Sequence, residues 1–222
     1  EGSYISAESL FLILLFVWVG TAIAFLFSEL HRSRKRMMIA EKRHAHLKNV
    51  NKSLREQNFE FSELANRDEL TGTLNRHAVR DWLKAQSQDV KQGYGLFSML
   101  YFDIDHFKSV NDQYGHQMGD HILREFSMVV GSLISSTDKL VRWGGEEFIV
   151  FCPATSIAEA QAKAEHIRTI VGQHLWIHGD PLTCSIGVAQ MKQERMTETI
   201  SRADEALYQA KHSGRNQVVV SQ

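Results

Sequence analysis

The longest uncharged stretch of the chain runs from Ser9 to Ser28 and reads SLFLILLFVWVGTAIAFLFS. A helix needs roughly 20 predominantly apolar residues to cross the hydrocarbon core of a bilayer, and this stretch has 20. A buried helix in a globular core is the alternative, but such helices rarely run so long without one charge. The sequence therefore predicts a transmembrane segment within residues 1–30.

Basic residues follow the apolar stretch directly and set its expected orientation. Residues 31–43 read HRSRKRMMIAEKR and carry six Lys or Arg residues against one acid, Glu41. A cleaved signal peptide would carry its basic residues before the apolar stretch. Because positive residues stay on the cytoplasmic side of a membrane, we expect the remainder of the chain in the cytoplasm. Contact with anionic lipid explains the bases here better than a nucleic-acid patch does.

Residues 31–66 contain neither Pro nor Gly and have a helical rhythm. Apolar residues alternate at spacings of three and four, with Gln57 in the one polar slot; they are Leu47, Val50, Leu54, Phe61 and Leu64. This is the a/d pattern of a coiled coil, although it lasts under three heptads. One amphipathic helix packing on its own domain therefore stays open, and a parallel two-stranded connector is the favoured interpretation.

The remaining residues form an acidic domain. Residues 68–222 hold 15 Lys and Arg residues against 19 Asp and Glu residues, a net charge of 15 − 19 = −4. An acidic domain is a poor non-specific binder of nucleic acid, so no nucleic-acid partner is expected, and a polyphosphate ligand would require metal ions. Cys152 and Cys184 each lie in an apolar run, which predicts reduced core thiols in a reducing compartment.

Helical and extended patterns alternate along this domain. Helices are predicted over residues 76–86, 120–134, 156–174 and 197–213, and a short helix or turn over 105–114. Strands are predicted over 96–103, 140–143, 146–151, 182–190 and 217–220. Gly144 and Gly145 between two strands predict a two-residue hairpin with a type I′ turn, in which both residues have positive φ. Strands interleaved with helices around one hairpin predict an α/β fold, a ferredoxin-like or palm-type mixed sheet flanked by helices.

Acidic residues cluster at the predicted strand ends. Asp103 closes a buried apolar strand, where a carboxylate is costly unless it is paired, and Asp105 lies two residues later. Glu146 and Glu147 follow the Gly-Gly pair. Any one of these acids alone would more naturally cap a turn and face solvent. Together, at neighbouring strand ends, their hard oxygen ligands favour a Mg²⁺ site.

Three basic residues are candidate phosphate partners, namely Lys108, Lys211 and Arg215. The adjacent glycines leave room for a nucleotide against the backbone. Metal ions, phosphate-binding cations and the absence of a nucleophilic Ser or Cys arrangement in the sequence point to phosphoryl or nucleotidyl transfer.

Five blocks of sequence resemble the GGDEF domain of diguanylate cyclases in order and spacing. They are RDELTGTLNR (67–76), FDIDHFKSVNDQYGHQMGD (102–120), RWGGEEF (142–148), SIGVA (185–189) and ADEALYQAKHSGRN (203–216). The resemblance covers residues 67–222. Taken with the apolar stretch and the basic residues that follow it, the resemblance implies an enzyme of the bacterial inner membrane with a cytoplasmic catalytic domain. Such an enzyme condenses two GTP into cyclic di-GMP and two pyrophosphates across a homodimer, formed through the coiled coil and the catalytic domains.

The resemblance also implies the residues that hold metal and perform the reaction. Asp103, the backbone carbonyl of Ile104 and Glu146 would hold two Mg²⁺ or Mn²⁺ ions per active site. Glu146 matches the family's proposed general base for the ribose 3′-hydroxyl, and Glu147 would help to bind metal or ribose.

Substrate-binding positions are implied in the same way. They are Lys108, Asn111, His116, Asp120, Gly144, Gly145, Lys211 and Arg215. Asn111 and Asp120 would hydrogen-bond the guanine edge, so the retained Asp120 predicts GTP as the substrate. The three cations would neutralise the triphosphate. His116 would lie near the nucleotide, with a structural role nearly as plausible.

One departure from the family concerns inhibition by the product. Many members carry an inhibitory Arg-x-x-Asp motif before the hairpin, and here the stretch is Ser135-Ser136-Thr137-Asp138. Asp138 remains but the guanidinium is missing, which predicts weak or absent inhibition through this site. The alternative function is a catalytically silent module that binds GTP or cyclic di-GMP as a receptor or scaffold. A membrane-anchored oligomerisation protein or an adenylyl cyclase-like palm enzyme explains fewer of the motifs.

Overall fold

A computed structural model describes residues 7–93 and 95–221. The chain divides into two compact units, Glu1–Phe61 and Ser62–Gln222. The first is built on one long helix and the second on a sheet with helices packed on both faces. The domain boundaries predicted from the sequence at residues 30/31 and 66/67 stay predictions.

The long helix α1 spans Ala7–Asn66. Its apolar side chains are largely exposed, as illustrated by Phe16 at 86% and Trp18 at 69% exposure. Among the described residues, one helical stretch, Leu14–Leu54, is long and apolar enough to cross a membrane. Leu47, Val50 and Leu54 of the predicted coiled-coil seam are exposed as well. The side chains of Phe61 and Leu64 lie outside the described residues.

Within its described residues, the second unit contains six strands and five further helices. The strands are β1 (Leu74–Asn75), β2 (Phe97–Ile104), β3 (Lys139–Gly144), β4 (Glu147–Pro153), β5 (Cys184–Gln190) and β6 (Val218–Val220). The helices are α2 (Arg80–Lys91), α3 (Phe107–Tyr114), α4 (His116–Leu133), α5 (Ile157–Gln173) and α6 (Met196–His212). The strands form one sheet in the order β1-β3-β4-β2-β5-β6. The outer pairs β1–β3 and β5–β6 are parallel and the inner pairs antiparallel, so the predicted mixed sheet is confirmed.

The central strand β2 is buried along its whole length and divides the core into two layers. Leu100, Phe102 and Ile104 face the layer under α3, α4 and α5. Phe97, Met99 and Tyr101 face the layer under α2 and α6. This alternation follows from the period of two in a strand. Cys152 and Cys184 are buried free thiols, as predicted.

Two predicted helices have different starts. The helix expected at residue 76 begins at Arg80 and continues to Lys91, because Leu74–Asn75 forms the unpredicted strand β1 and Asn75 Oδ1 accepts hydrogen bonds from the His77 and Ala78 amides. The helix expected at residue 120 begins four residues earlier, at His116. The other elements agree with the prediction to within a few residues at each end.

The position and type predicted for the hairpin turn were wrong. Gly144 belongs to β3 and pairs with Glu147, so the central turn residues are Gly145 and Glu146. Only the first of these has positive φ, 46° at Gly145, which a type I′ turn does not allow. The physical reason is a register shift between Arg142 and Gly144, which moves the turn one residue along the chain. Glu146 therefore lies inside the turn rather than after it.

Candidate active site

The topology brings the ends of several strands to one edge of the sheet. Strand β1 is parallel to β3, and both β2 and β3 are antiparallel to β4. The carboxyl ends of β1, β2 and β3 therefore meet the start of β4. At this edge Asp103 is the direct register partner of Glu147, and directly opposed residues project to the same face of a sheet.

Asp103 is a buried carboxylate, with only 5% of the residue exposed. Lys211, in the last turn of α6, reaches it with 2.6 Å between Nζ and Oδ2. Burial raises the pKa of Asp103 to about 6; the ion pair with Lys211 opposes this rise, and the negative charges of Glu146 and Glu147 add to it. The carboxyl group therefore lies in a site with an excess of negative charge, where a further cation would stabilise its ionised form.

Glu147 is half-buried beside Asp103. Burial raises its pKa, and the charges of Asp204 and Glu146 act in the same direction. The hydroxyl group of Tyr101 donates a hydrogen bond to Glu147 Oε2 over 3.3 Å. Sequence analysis missed Tyr101 and Asp204 as neighbours of the site. The alternation along β2, which projects Tyr101 and Asp103 to one face, was the signal that could have identified Tyr101.

Asp105 differs from the expectation that it joins this acidic cluster. Its Oδ1 accepts a hydrogen bond from Ser185 Oγ, and its Oδ2 accepts from Thr183 Oγ1 and the Asn216 amide, at 2.7, 2.7 and 3.0 Å. These bonds fix β5 and the segment after α6 to the end of β2. Asp105 is thus a structural anchor, because neutral donors already satisfy both of its oxygens.

The residues at this edge supply the carboxylate oxygens that a divalent cation prefers as ligands, although their side chains do not converge on one point. Within the described parts of the chain, no group of three or more His, Cys, Asp or Glu side chains is placed to hold one metal ion together. A hard cation would nevertheless relieve the charge repulsion between the buried Asp103 and its neighbours Glu146 and Glu147. Ile104 ends β2 opposite Cys184, next to Asp103.

Asn111 and Asp120 lie on consecutive helices joined at Gly115, α3 and α4. A Cβ atom at Gly119 would lie only 2.0 Å from Asn111 Oδ1. The Asn111 amide thus packs directly on the backbone of α4, one residue before Asp120. Gly119, which sequence analysis did not single out, is what permits this approach. His116 is exposed at the start of α4.

Of the predicted phosphate partners, Lys211 is the one whose side chain contacts an acidic residue of this edge within the described parts of the chain, through Asp103. Lys108 is exposed on α3, and Arg215 is exposed in the loop after α6. That loop contains two consecutive non-glycine residues in the left-handed region, Arg215 at φ 61° and Asn216 at φ 44°. Arg168 Nη1 donates to Asn216 Oδ1 over 2.8 Å, which together with Asp105 holds the loop in place.

A second network supports the hairpin. Arg142 donates two hydrogen bonds to the Gly145 carbonyl, at 2.9 and 2.8 Å, and a third guanidinium nitrogen pairs with Asp68. Burial raises the pKa of Asp68, but hydrogen bonds from Thr71 and Arg142 outweigh burial and lower the pKa below its usual value. The turn that carries Glu146 is therefore tied to the start of the domain.

Asp138, which matches the last position of the family's Arg-x-x-Asp motif, is buried. Its side chain is 1% exposed and forms an ion pair with Lys163 of α5. Asp138 Oδ2 also accepts a hydrogen bond from the Ser135 amide over 3.0 Å. The carboxylate is thus committed to contacts within the domain.

Comparisons with known proteins identify the family of the domain that carries this site. Residues 65–217 match the family described as diguanylate cyclase, GGDEF domain. Diguanylate cyclase DgcS of Shewanella oneidensis is 39% identical over 158 residues, which cover 71% of this chain and 53% of DgcS. Response regulator PleD of Caulobacter vibrioides is 43% identical over 164 residues, covering 71% of this chain and 36% of PleD.

A solved structure extends the comparison. The coiled coil and GGDEF domain of DgcB from Caulobacter crescentus, in complex with c-di-GMP, aligns with a TM-score of 0.74 and 31% identity, covering 82% of this chain and 98% of that one. The chain belongs to the GGDEF-domain family of diguanylate cyclases. It spans about half of DgcS and about a third of PleD.

Proposed function

We propose that this protein is a membrane-anchored diguanylate cyclase that condenses two GTP molecules into cyclic di-GMP and two pyrophosphates. The observation that carries the proposal is the buried Asp103 opposite Glu147, beside the turn residue Glu146 and the cation of Lys211. This arrangement holds acids at a sheet edge where a metal–triphosphate complex would relieve their repulsion.

Asp103, the Ile104 carbonyl and Glu146 would hold two Mg²⁺ or Mn²⁺ ions. When bound, these ions supply positive charge that acidifies a ribose hydroxyl and stabilises the phosphates of the reacting nucleotide. Glu147, beside Glu146, would help to bind metal or ribose.

The chain's own residues would bind and orient the substrate. Lys108, Lys211 and Arg215 would contact the triphosphate, and Gly144 and Gly145 would let the nucleotide lie against the hairpin backbone. Asn111 and Asp120 would hydrogen-bond the guanine edge, because the Asp120 carboxylate accepts from donors that adenine lacks. His116 would lie near the bound nucleotide.

Bond formation requires two copies of the domain. One domain binds one GTP, and the 3′-oxygen of that nucleotide forms a bond to the α-phosphorus of the GTP on the facing copy. The bond from that phosphorus to the pyrophosphate oxygen breaks, and Glu146 takes the hydroxyl proton. A second, symmetric step closes the ring. Catalysis then depends on how the two domains are positioned.

The helix α1 supplies the proposed means of anchoring and pairing. Its apolar stretch would span the inner membrane with the catalytic domain in the cytoplasm, and the exposed seam of Leu47, Val50 and Leu54 would pair with a second copy. Inserting two residues near Asn58 would rotate the paired domains. We expect this insertion to change the rate of product formation, and an unchanged rate would contradict control through the helix.

Product inhibition should be weak, since Ser135 cannot supply a guanidinium group and Asp138 is bound to Lys163. Turnover measured with micromolar cyclic di-GMP added at the start tests this expectation, and sharp inhibition would contradict it.

The function itself is tested with the full chain in detergent, incubated with GTP and Mg²⁺, with products resolved by chromatography. Cyclic di-GMP from the parent protein and none from Glu146→Ala would support the proposal. GTP binding without product from a folded dimer would favour the receptor function. An equal product from ATP would contradict the role assigned to Asp120.

A further inference from the structure

A second cleft opens beside the hairpin, on the side away from Asp103. It has a volume of about 360 Å³, with Asn75, Arg76 and His77 on one wall and Trp143 to Gly145 on the other. Strand order separates it from the acidic site, because β1 and β2 flank the β3–β4 hairpin on opposite sides. The hairpin turn thus has the carboxylates on one side and this cleft on the other.

The charges within the cleft are not balanced. Asp68 contributes to its lining but is neutralised by Arg142, whose Nη1 lies 2.9 and 3.2 Å from the two carboxylate oxygens. Arg76 and His77 are exposed, and their side chains form no ion pair or hydrogen bond within the described residues. Arg76 is therefore an uncompensated cation at the active edge of a domain whose net charge is negative.

The position of these two residues is fixed by the fold. Asn75 pairs with Arg142 in the parallel β1–β3 register. The Asn75 side chain donates to the carbonyls of Ala65 and Arg67, at 2.7 and 3.1 Å, and accepts from the His77 amide. A backbone held in this way presents Arg76 and His77 at the rim of the cleft without a large cost in ordering the chain on binding.

We propose that this cleft is a phosphate subsite for the second nucleotide, the GTP carried by the facing copy of the domain. The proposal rests on the proposed function, because that reaction brings a second triphosphate to the same edge of the sheet. The carboxylates around Asp103 repel that triphosphate, whereas Arg76 and His77, one hairpin away, attract it. The cleft binds phosphate oxygens without recognising the base.

The test compares Arg76→Gln/His77→Gln with Arg80→Gln in the full chain. Arg80 is an exposed arginine at the start of α2 near Asp81, so it controls for loss of one nearby positive charge. We expect the double variant to form cyclic di-GMP roughly 10- to 100-fold more slowly, the size expected for one or two charge-assisted hydrogen bonds. Arg80→Gln should stay within about twofold of the parent, as exposed charges usually do.

Binding measurements separate this subsite from the domain's own nucleotide site. The probe is 3′-deoxy-GTP, which cannot attack. At protein concentrations low enough for the chain to be monomeric, the parent and the double variant should bind this probe with the same affinity, because no facing copy is present. Weaker binding by the monomeric double variant would overturn the proposal, because the cleft would then contact the domain's own nucleotide. Loss of turnover no greater than in Arg80→Gln would also overturn it.

A readout without turnover distinguishes this proposal from the proposed function. The NMR signal of the His77 ring, assigned by its disappearance in His77→Gln, should shift on addition of inorganic pyrophosphate. A parent protein that makes no cyclic di-GMP but shows this shift would refute the proposed function and leave the anion subsite supported. No shift at saturating pyrophosphate would overturn the subsite.

Discussion

Asp103 and Asp105 lie two residues apart at the end of β2 and are almost equally buried, at 5% and 3% exposure. Their surroundings are opposite in kind. Asp105 accepts hydrogen bonds from two hydroxyl groups and one backbone amide. Asp103 contacts the cation of Lys211 and experiences the negative charges of Glu146 and Glu147, which contribute to its raised pKa.

The difference separates a structural carboxylate from one suited to bind a ligand. Hydroxyl and amide donors contact both oxygens of Asp105 and stabilise its charge, so Asp105 does not need a metal ion or a nucleotide to be satisfied. Asp103 instead lies among negative charges that Lys211 alone does not neutralise. Asp103 and its acidic neighbours should therefore govern activity, and Asp105 should govern stability.

The largest effect is expected from Asp103→Asn. Removal of this carboxylate should lower cyclic di-GMP formation by roughly a thousandfold, because metal-based stabilisation of phosphate charge is worth several kcal/mol. The free energy of unfolding should not fall, since a buried charge is also removed. Chromatographic product assays and urea unfolding of the same preparation test both expectations. Residual activity above a tenth of the parent value would contradict this role of Asp103.

Asp105→Asn should have the opposite profile. The substitution replaces one carboxylate oxygen of Asp105 with an amide nitrogen, which cannot accept the hydrogen bonds that this oxygen accepts. We therefore expect the free energy of unfolding to fall by roughly 1–3 kcal/mol. Urea unfolding followed by circular dichroism measures this loss, and Asp103→Asn is the matched control. An unfolding midpoint equal to that of the parent would show that the hydrogen bonds of Asp105 are not stabilising.

A smaller effect is expected at the contact between Gly119 and Asn111, because this contact bears on recognition of the base and involves neither Asp103 nor Asp105. The methyl group of Gly119→Ala would displace the Asn111 amide, which lies 2.0 Å from the position of the new Cβ atom. GTP affinity should fall about tenfold, the size of one lost hydrogen bond to a base. Calorimetry with 3′-deoxy-GTP measures the affinity. Gly172→Ala in α5 is the comparison, since a Cβ atom at that position has no atom within 4 Å. Unchanged affinity would contradict the assigned contact.

The pH dependence of stability should reflect Asp103 in protein without added divalent cation. Its pKa of about 6 lies above the usual 3.8, so the folded state binds this proton more tightly than the unfolded state. The resulting stabilisation is complete below the usual pKa and is lost as pH rises through about 6. The difference in unfolding free energy, parent minus Asp103→Asn, should therefore decrease across this window. A difference that rises or stays constant would contradict the raised pKa.

The acidic site could be predicted from sequence because its signals are local. One signal is an apolar strand that ends in Asp103, and the other is a Gly-Gly pair followed by two glutamates. To predict the site from these two signals, we had to assume only that the two strand ends are neighbours in the sheet. The helix-flanked mixed sheet followed from the same alternation of patterns.

The role of Asp105 could not be predicted in this way, because its partners Thr183, Ser185 and Asn216 lie 78 to 111 residues away along the chain. The hairpin turn was misplaced for a related reason. A register shift near Trp143 depends on how two strands pair and has no signature in either strand alone. Gly119 was missed because its importance arises from packing against another helix.

The most direct test of the comparison is Mn²⁺ binding, followed by electron paramagnetic resonance with 3′-deoxy-GTP present, in the parent, Asp103→Asn and Asp105→Asn proteins. The assignments predict bound Mn²⁺ in the parent and in folded Asp105→Asn, with most of it lost in Asp103→Asn. Retention of the bound signal in Asp103→Asn, together with its loss in folded Asp105→Asn, would contradict the division between the two carboxylates.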